Sequence, residues 1–246
     1  MITEYGDRNA PCVVLIHPML TSAEMMYNVI GSRLKGRYRI IAPDQGSHGR
    51  SQREFVSAED EAARLHDYLL SEGITKIALV YGASLGAVCA MKLTHYEDIE
   101  IEELYLDGIP FTKRPAYVAP LMTAMVYAWK TFGKNADKVL SRAYGSAGTA
   151  MAECLNKMKL RTFARIFRDC TAGCEREFDC RRQKHLFFDY GEKELSCYYG
   201  YKTEKKLYPE AKFFIHRGYS HCNYLVKNPD RYVSRLEKII QRGIKS

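Results

Sequence analysis

One serine in the chain stands between two glycines, in Gly82-Ala83-Ser84-Leu85-Gly86. The apolar run Ile77-Ala78-Leu79-Val80-Tyr81 precedes it, and Ala87-Val88-Cys89-Ala90-Met91-Lys92-Leu93 follows with helical character. A sharp strand-to-helix turn of this kind leaves no space for side chains two positions either side of the serine, which accounts for both glycines. Ser84 then stands at a helix N-terminus, where aligned peptide dipoles favour the oxyanion formed when a hydroxyl adds to a carbonyl. A dinucleotide site needs Gly at position 84, so a pyrophosphate-binding reading of these residues fails. The bland reading is a small-residue turn without chemistry; the strand before and the helix after weigh against it.

A serine hydroxyl needs a base to become a nucleophile. Of the seven histidines His17, His48, His66, His95, His185, His216 and His221, the last is preferred. It follows the short loop Arg217-Gly218-Tyr219-Ser220, after the final strand-like run and before the final helix-like one. Loops at the carboxyl ends of parallel strands open onto the same crevice as the serine turn. His216 is the nearest rival. The base in turn needs a carboxylate to hold its tautomer. Glu194 follows the run Leu186-Phe187-Phe188 and Asp107 follows Leu104-Tyr105-Leu106. Both respect the chain order nucleophile, acid, base, with Glu194 preferred and Asp107 the alternative acid.

These residues need a sheet to position them. Cys12-Val13-Val14-Leu15-Ile16-His17 and Arg39-Ile40-Ile41-Ala42-Pro43 repeat the apolar-run signal of a strand buried on both faces, as does Lys212-Phe213-Phe214-Ile215 near the end. Residues 22–35 and 57–71 carry apolar side chains at helical spacing, and Ser57 followed by Asp60 and Glu61 marks a helix start. Strands alternating with helices indicate a parallel sheet with right-handed crossovers. Between 108 and 183 the alternation stops. Segments 116–129, 135–144, 149–158 and 162–170 read as helices, punctuated by Gly145, Gly148 and Gly173. An all-helical cap inserted late in the sheet is therefore expected over 108–183, with 1–107 and 184–246 forming the core. A last amphipathic helix is expected over 229–240.

The 246 residues suffice for one core with such an insertion. No apolar stretch is long enough to span a bilayer, and Met1-Ile2-Thr3-Glu4-Tyr5-Gly6-Asp7 has neither the basic start nor the apolar centre of a signal peptide, so a cytoplasmic location is expected. The eight cysteines are scattered without a C-x-x-C pair. Cys170 and Cys174 share a helix face but lack the four-ligand spacing of a zinc site, so neither metal nor disulfides are expected. Between 108 and 183 there are 14 basic and 6 acidic residues, which is the whole formal excess of +8. That excess reads either as a solvated surface or as attraction for an anionic substrate, with Arg161, Arg165 and Arg168 as candidates. Nothing accompanies it that would recognise nucleic acid. Segment 116–129 is uncharged and flanked by Lys113, Arg114, Lys130 and Lys134. It is read first as a helix buried against its neighbours, and otherwise as the lining of an acyl pocket or a lipid-surface helix.

The sequence resembles the α/β-hydrolase superfamily over nearly its whole length. Beside the serine turn, His17-Pro18-Met19-Leu20 resembles that family's His-Gly-x-x segment. Asp44-Gln45-Gly46-Ser47-His48-Gly49-Arg50-Ser51 resembles its Asp-x-x-Gly-x-Gly-x-Ser loop with one extra residue. Gly191-Glu192-Lys193-Glu194 and Gly218-Tyr219-Ser220-His221 resemble the segments that supply its acid and its base. Pro18 replaces a glycine and Glu194 an aspartate. The resemblance implies a mostly parallel sheet flanked by helices and an oxyanion hole from the Met19 and Leu85 N–H groups. It also implies a structural role for His17 and acyl transfer from a small ester or thioester to water without a cofactor. Other chemistry on this fold, such as C–C bond hydrolysis or lyase activity, and a pocket that binds without turnover are the alternatives. Asp at the serine position, which dehalogenases use, is absent.

Overall fold

The computed structural model describes residues 1–34, 36–133 and 135–244. Lys35, at the end of the first expected helix, and Lys134 lie outside the described residues. The chain begins β1 (Ile2–Tyr5), β2 (Cys12–Ile16) and α1 (Ala23–Met26), which continues through a π-helical stretch (Tyr27–Gly31) into α2 (Ser32–Leu34). Then come β3 (Arg39–Pro43), α3 (Ala58–Ser71), β4 (Lys76–Ala83), α4 (Leu85–Leu93) and β5 (Glu100–Asp107). Five helices follow without a strand: α5 (Val118–Phe132), α6 (Ala136–Tyr144), α7 (Ala147–Lys157), α8 (Leu160–Thr171) and α9 (Cys180–Gln183). The chain closes with β6 (Leu186–Gly191), α10 (Leu195–Leu207), β7 (Lys212–His216), α11 (Asn223–Lys227) and α12 (Pro229–Gly243).

The seven strands form one sheet in the order β1-β3-β2-β4-β5-β6-β7, parallel throughout except for β1, which runs antiparallel to β3. Side chains alternate between two buried faces, as a strand period of two requires. Cys12, Val14 and Ile16 pack towards α3 and α4, while Val13 and Leu15 pack towards α1, α2 and α12. Tyr105 and Phe187 join that second face, and their neighbours Leu104, Leu106, Leu186 and Phe188 the first. The start expected at Ser57 is present: its hydroxyl accepts the Asp60 N–H at 3.0 Å and caps α3. Strand order reverses between β2 and β4, so the loops after these two strands diverge and open a crevice at the carboxyl edge of the sheet.

The helices between β5 and β6 build a third apolar cluster. Leu140, Met151, Leu155, Phe163 and Phe167 pack there against Leu20, Phe55 and Leu85 from the loops at the sheet edge and the start of α4. The end of α3's approach loop binds α8 directly: Arg165 and Arg168 donate to the carbonyls of Phe55 and Val56, and the Asp169 carboxylate accepts the Ala58 N–H at 2.6 Å. Glu54 pairs with Lys159 and Arg161 in the same strap. The expectation that segment 116–129 is a buried helix fails. No residue of α5 is buried; only one side of it, through Ala119, Met122, Val126 and Trp129, rests on the third cluster. An apolar composition identifies a helix without fixing how much of its circumference finds a partner. Among the described residues no helix is long and apolar enough to cross a membrane.

Candidate active site

Ser84 is the single residue between β4 and α4, with φ 51° and ψ −113°. Only a few per cent of non-glycine residues take positive φ, and such strain persists where the surroundings over-determine it. Here the Ser84 N–H is held by the Asp107 carbonyl at 2.7 Å, while its own carbonyl accepts from Ala87 and Val88. The flanking glycines are sterically required. A methyl on Gly86 would collide with the carbonyls of Ile16 and His17, and one on Gly82 with the Gly86 carbonyl. The α4 N-terminus therefore lies directly against the end of β2.

The loop that leaves β2 is shaped by His17, which is fully buried. Its Nδ1–H donates to the Pro18 carbonyl at 2.8 Å and its Nε2 accepts the Gln45 N–H at 3.1 Å. Burial pushes its pKa down to about 4, so the ring stays neutral in this pattern. The Pro18 carbonyl also accepts the Thr21 hydroxyl at 2.8 Å, so the proline serves this turn through its acceptor and its missing N–H is not called on. No acceptor takes the Met19 N–H among the described residues. Leu85 is the first residue of α4, and its N–H has no acceptor within the helix.

His221 and Glu194 are brought together by the loops after β7 and β6. Three bonds donated by backbone N–H groups hold the two loops side by side: Glu192 N–H to the His216 carbonyl, Lys193 N–H to the Tyr219 carbonyl, and Gly218 N–H to the Glu192 carboxylate. The His221 Nδ1 lies 2.5 Å from Glu194 Oε2, and the other carboxylate oxygen accepts the Gly191 N–H. Glu194 is 4% exposed. Burial opposes the charged form of His221, but the Glu194 hydrogen bond and charge, aided by Asp107, outweigh it and raise the pKa above its usual value. Gly108, at φ 62°, lies against both partners; a methyl there would strike the His221 ring and approach the Glu194 carboxylate. Sequence reasoning missed Gly108, since a lone glycine after a strand carries no signal of what packs on it.

Asp107 is placed differently. Its side chain accepts the hydroxyls of Tyr81 at 2.9 Å and Tyr232 at 2.8 Å, beneath the sheet edge. Burial, then the charges of Asp189 and Glu194, hold its pKa well above the usual carboxylate range. His216 also lies outside the crevice: it stacks on Tyr224 at 3.5 Å and its Nε2 pairs with Asp189 at 2.9 Å, which also takes Tyr105 and Arg235.

Ser84 and His221 line one cavity of about 240 Å³. Met19, Leu20, Met25, Met26 and Val29 form one wall, Leu140, Tyr144, Ala147 and Met151 the roof, and Cys222, Leu225 and Val226 the remainder. The roof is pinned to the loop that carries His221, since the Tyr144 hydroxyl donates to the His221 carbonyl at 3.3 Å and the Asn223 amide to the Ala143 carbonyl. Tyr144 was not singled out from sequence either; it looks like any aromatic at a helix end. Among the described residues, no Lys or Arg lines this cavity. The arginines that were candidates for attracting an anionic substrate are engaged elsewhere, Arg161 with Glu54, Arg165 with the Phe55 carbonyl and Arg168 with Asp169. The α5 helix, offered as a pocket lining, contributes nothing to this cavity.

No curated protein matches the sequence. Solved structures do. A thermophilic esterase from Thermogutta terrifontis superimposes with a TM-score of 0.78 at 13% identity, over 99% of this chain and 93% of the other. The esterase RhEst1 from Rhodococcus sp. ECU1013 gives 0.71 at 20% identity, over 98% and 94%. The thioesterase domain from the curacin biosynthetic pathway gives 0.65 at 20% identity, over 95% and 93%. At these identities the likeness is one of fold. The profile of the alpha/beta hydrolase family matches residues 13–235, which takes in every strand of the sheet but the first and both ends of the crevice. With that match over a sheet of this order, the conclusion is direct: the chain belongs to the alpha/beta hydrolase family and is a hydrolase.

Proposed function

We propose that this hydrolase cleaves a carboxylic ester or thioester carrying a short, uncharged apolar acyl group, through an acyl-enzyme on Ser84. The Ser84 Oγ adds to the carbonyl carbon as His221 Nε2 takes the hydroxyl proton. Glu194 holds His221 Nδ1–H and balances the imidazolium. The N–H groups of Met19 and Leu85 receive the oxyanion, and His221 returns the proton to the departing oxygen or sulfur. Water, deprotonated by His221, then adds to the acyl carbon; the bond to Ser84 Oγ breaks as His221 returns the proton to it, releasing the acid and the free serine. Residues 108–183 serve as the cap, with α6 and α7 closing over the acyl group.

The observation that carries this reading is the 2.5 Å contact between Glu194 and His221 at the wall of the cavity that also holds Ser84. The substrate class follows from the lining. Four methionines and no cation surround Ser84, and about 240 Å³ is below the roughly 300 Å³ at which drug-sized ligands begin to fit. Intact-mass measurement after fluorophosphonate treatment tests the mechanism: one adduct on the wild type and none on Ser84→Ala is expected. A folded wild type that takes no label refutes it. Paired oxygen and sulfur esters of one acyl chain then decide the leaving group.

A further inference from the structure

The outward side of α5 carries no charge at all. At 100° per residue, Tyr117, Leu121, Met125 and Phe132 fall within one stripe about 80° wide, separate from Ala119, Met122, Val126 and Trp129, which rest on the third apolar cluster. They are 68%, 54%, 64% and 78% exposed. A surface helix of a water-soluble face ordinarily turns its polar residues outward, so this one is inverted. Beside it, α10 begins with Leu195 and Tyr198, 71% and 78% exposed. The Arg114 guanidinium, in the loop that leads into α5, lies 4.2 Å from the centre of the Tyr199 ring on α10. Between α5 and α8 runs an apolar groove of about 940 Å³ whose charged lining residues, among the described residues, are Lys113, Arg114 and Arg168. No acidic residue occurs in α5.

We propose that this face is a docking surface for an anionic lipid bilayer. Tyr117, Leu121, Met125 and Phe132 enter the interfacial zone, and Lys113 and Arg114 meet the headgroups. The stripe spans about 22 Å, which suits a helix lying in the interface plane, and the 15 residues of α5 are too few to cross the bilayer. Charge separates this occupant from a second copy of the chain. The charged residues described at this face, Lys113, Arg114 and Arg168, are all basic, so two such faces repel each other whereas an anionic membrane attracts one. The inference is independent of the acyl chemistry, because none of these residues lines the Ser84 cavity.

The test is co-sedimentation of the full chain with vesicles of phosphatidylcholine alone and of phosphatidylcholine with phosphatidylglycerol. The expected result is binding to the anionic vesicles only, weakened by salt. Two double variants, Leu121→Glu with Met125→Glu and Lys113→Ser with Arg114→Ser, should each lower partitioning about tenfold or more. Hydrolysis of a soluble ester should stay unchanged in both, which shows that they fold. Wild type left in the supernatant with both vesicle types overturns the proposal, as does binding that survives both double variants. A wild-type dimer in sedimentation velocity that Leu121→Glu with Met125→Glu dissociates, without vesicle binding, overturns it in favour of self-association.

Discussion

Replacing Glu194 by Gln tests the acid through a feature particular to this site. One carboxylate oxygen accepts the Gly191 N–H while the other holds His221 Nδ1 at 2.5 Å. A glutamine has one acceptor, and the Gly191 N–H claims it. The amide NH₂ then faces His221 and can only donate, so Nδ1 becomes the acceptor and the proton moves to Nε2, the nitrogen that in the proposed mechanism takes the Ser84 proton. The opposite amide orientation sets two donors against each other in a buried position and is worse. Turnover should fall about 10³–10⁴-fold, or roughly 4–5.5 kcal/mol of barrier, with little change in fold. The sign of the pH effect is also determined. Glu194 raises the His221 pKa against burial, so its loss leaves burial dominant and lowers that pKa. The acidic limb of kcat/KM, where His221 must be neutral, should therefore move to lower pH in the residual activity. Hydrolysis of a short p-nitrophenyl ester between about pH 5 and 9, with circular dichroism as the fold control, measures both. A variant within about threefold of wild type and with an unmoved acidic limb refutes the assignment, most plainly if Asp107→Asn shows the loss instead.

Other perturbations follow from the same geometry. Ser84→Ala should abolish turnover with the fold retained, and Ser84→Gly should exceed Ser84→Ala in thermal stability by about 1 kcal/mol or more, because only glycine takes φ 51° without strain; equal melting curves would contradict the strain. Met151→Phe, which fills the roof, should shift the acyl preference to shorter chains in a series of p-nitrophenyl esters, and an unchanged profile would place the acyl group elsewhere. Glu204 is buried with one oxygen unpartnered, the other taking the Tyr190 hydroxyl, and burial lifts its pKa to about 8. The folded state thus binds the extra proton, so stability is full below about pH 4.5 and is lost at up to about 1.4 kcal/mol per unit as pH rises towards 8. Urea unfolding of Glu204→Gln at several pH values in that window should show the slope flattened.

Much of the fold was legible because its signals are local. Alternating apolar runs, the Ser57 cap and the glycines around Ser84 each follow from sterics within a few residues. Glu194 and His221 stood at strand ends by the same logic, although the sequence alone left Asp107 open; what separates the two carboxylates is a tyrosine pair, Tyr81 and Tyr232, brought together across 151 residues of chain. The role of Arg161, Arg165 and Arg168 stayed open in the sequence because counting charge does not see that Glu54, Asp169 and two carbonyls of the preceding loop already hold them. The orientation of α5 was illegible for a related reason: hydropathy reports what a side chain prefers, while its exposure depends on whether another element arrives to cover it.

Leu20 and Leu85 give the cap a consequence beyond substrate choice. Each adjoins or carries a candidate oxyanion donor, and both side chains are buried in the cluster formed by Leu140, Met151, Leu155 and Phe163. The helical insertion is thus not an interchangeable module bolted onto a self-sufficient engine. If the proposed mechanism holds, grafting a different cap to change selectivity should alter rate as well, because the backbone proposed to meet the developing negative charge is wedged in place by the same leucines that the graft repacks.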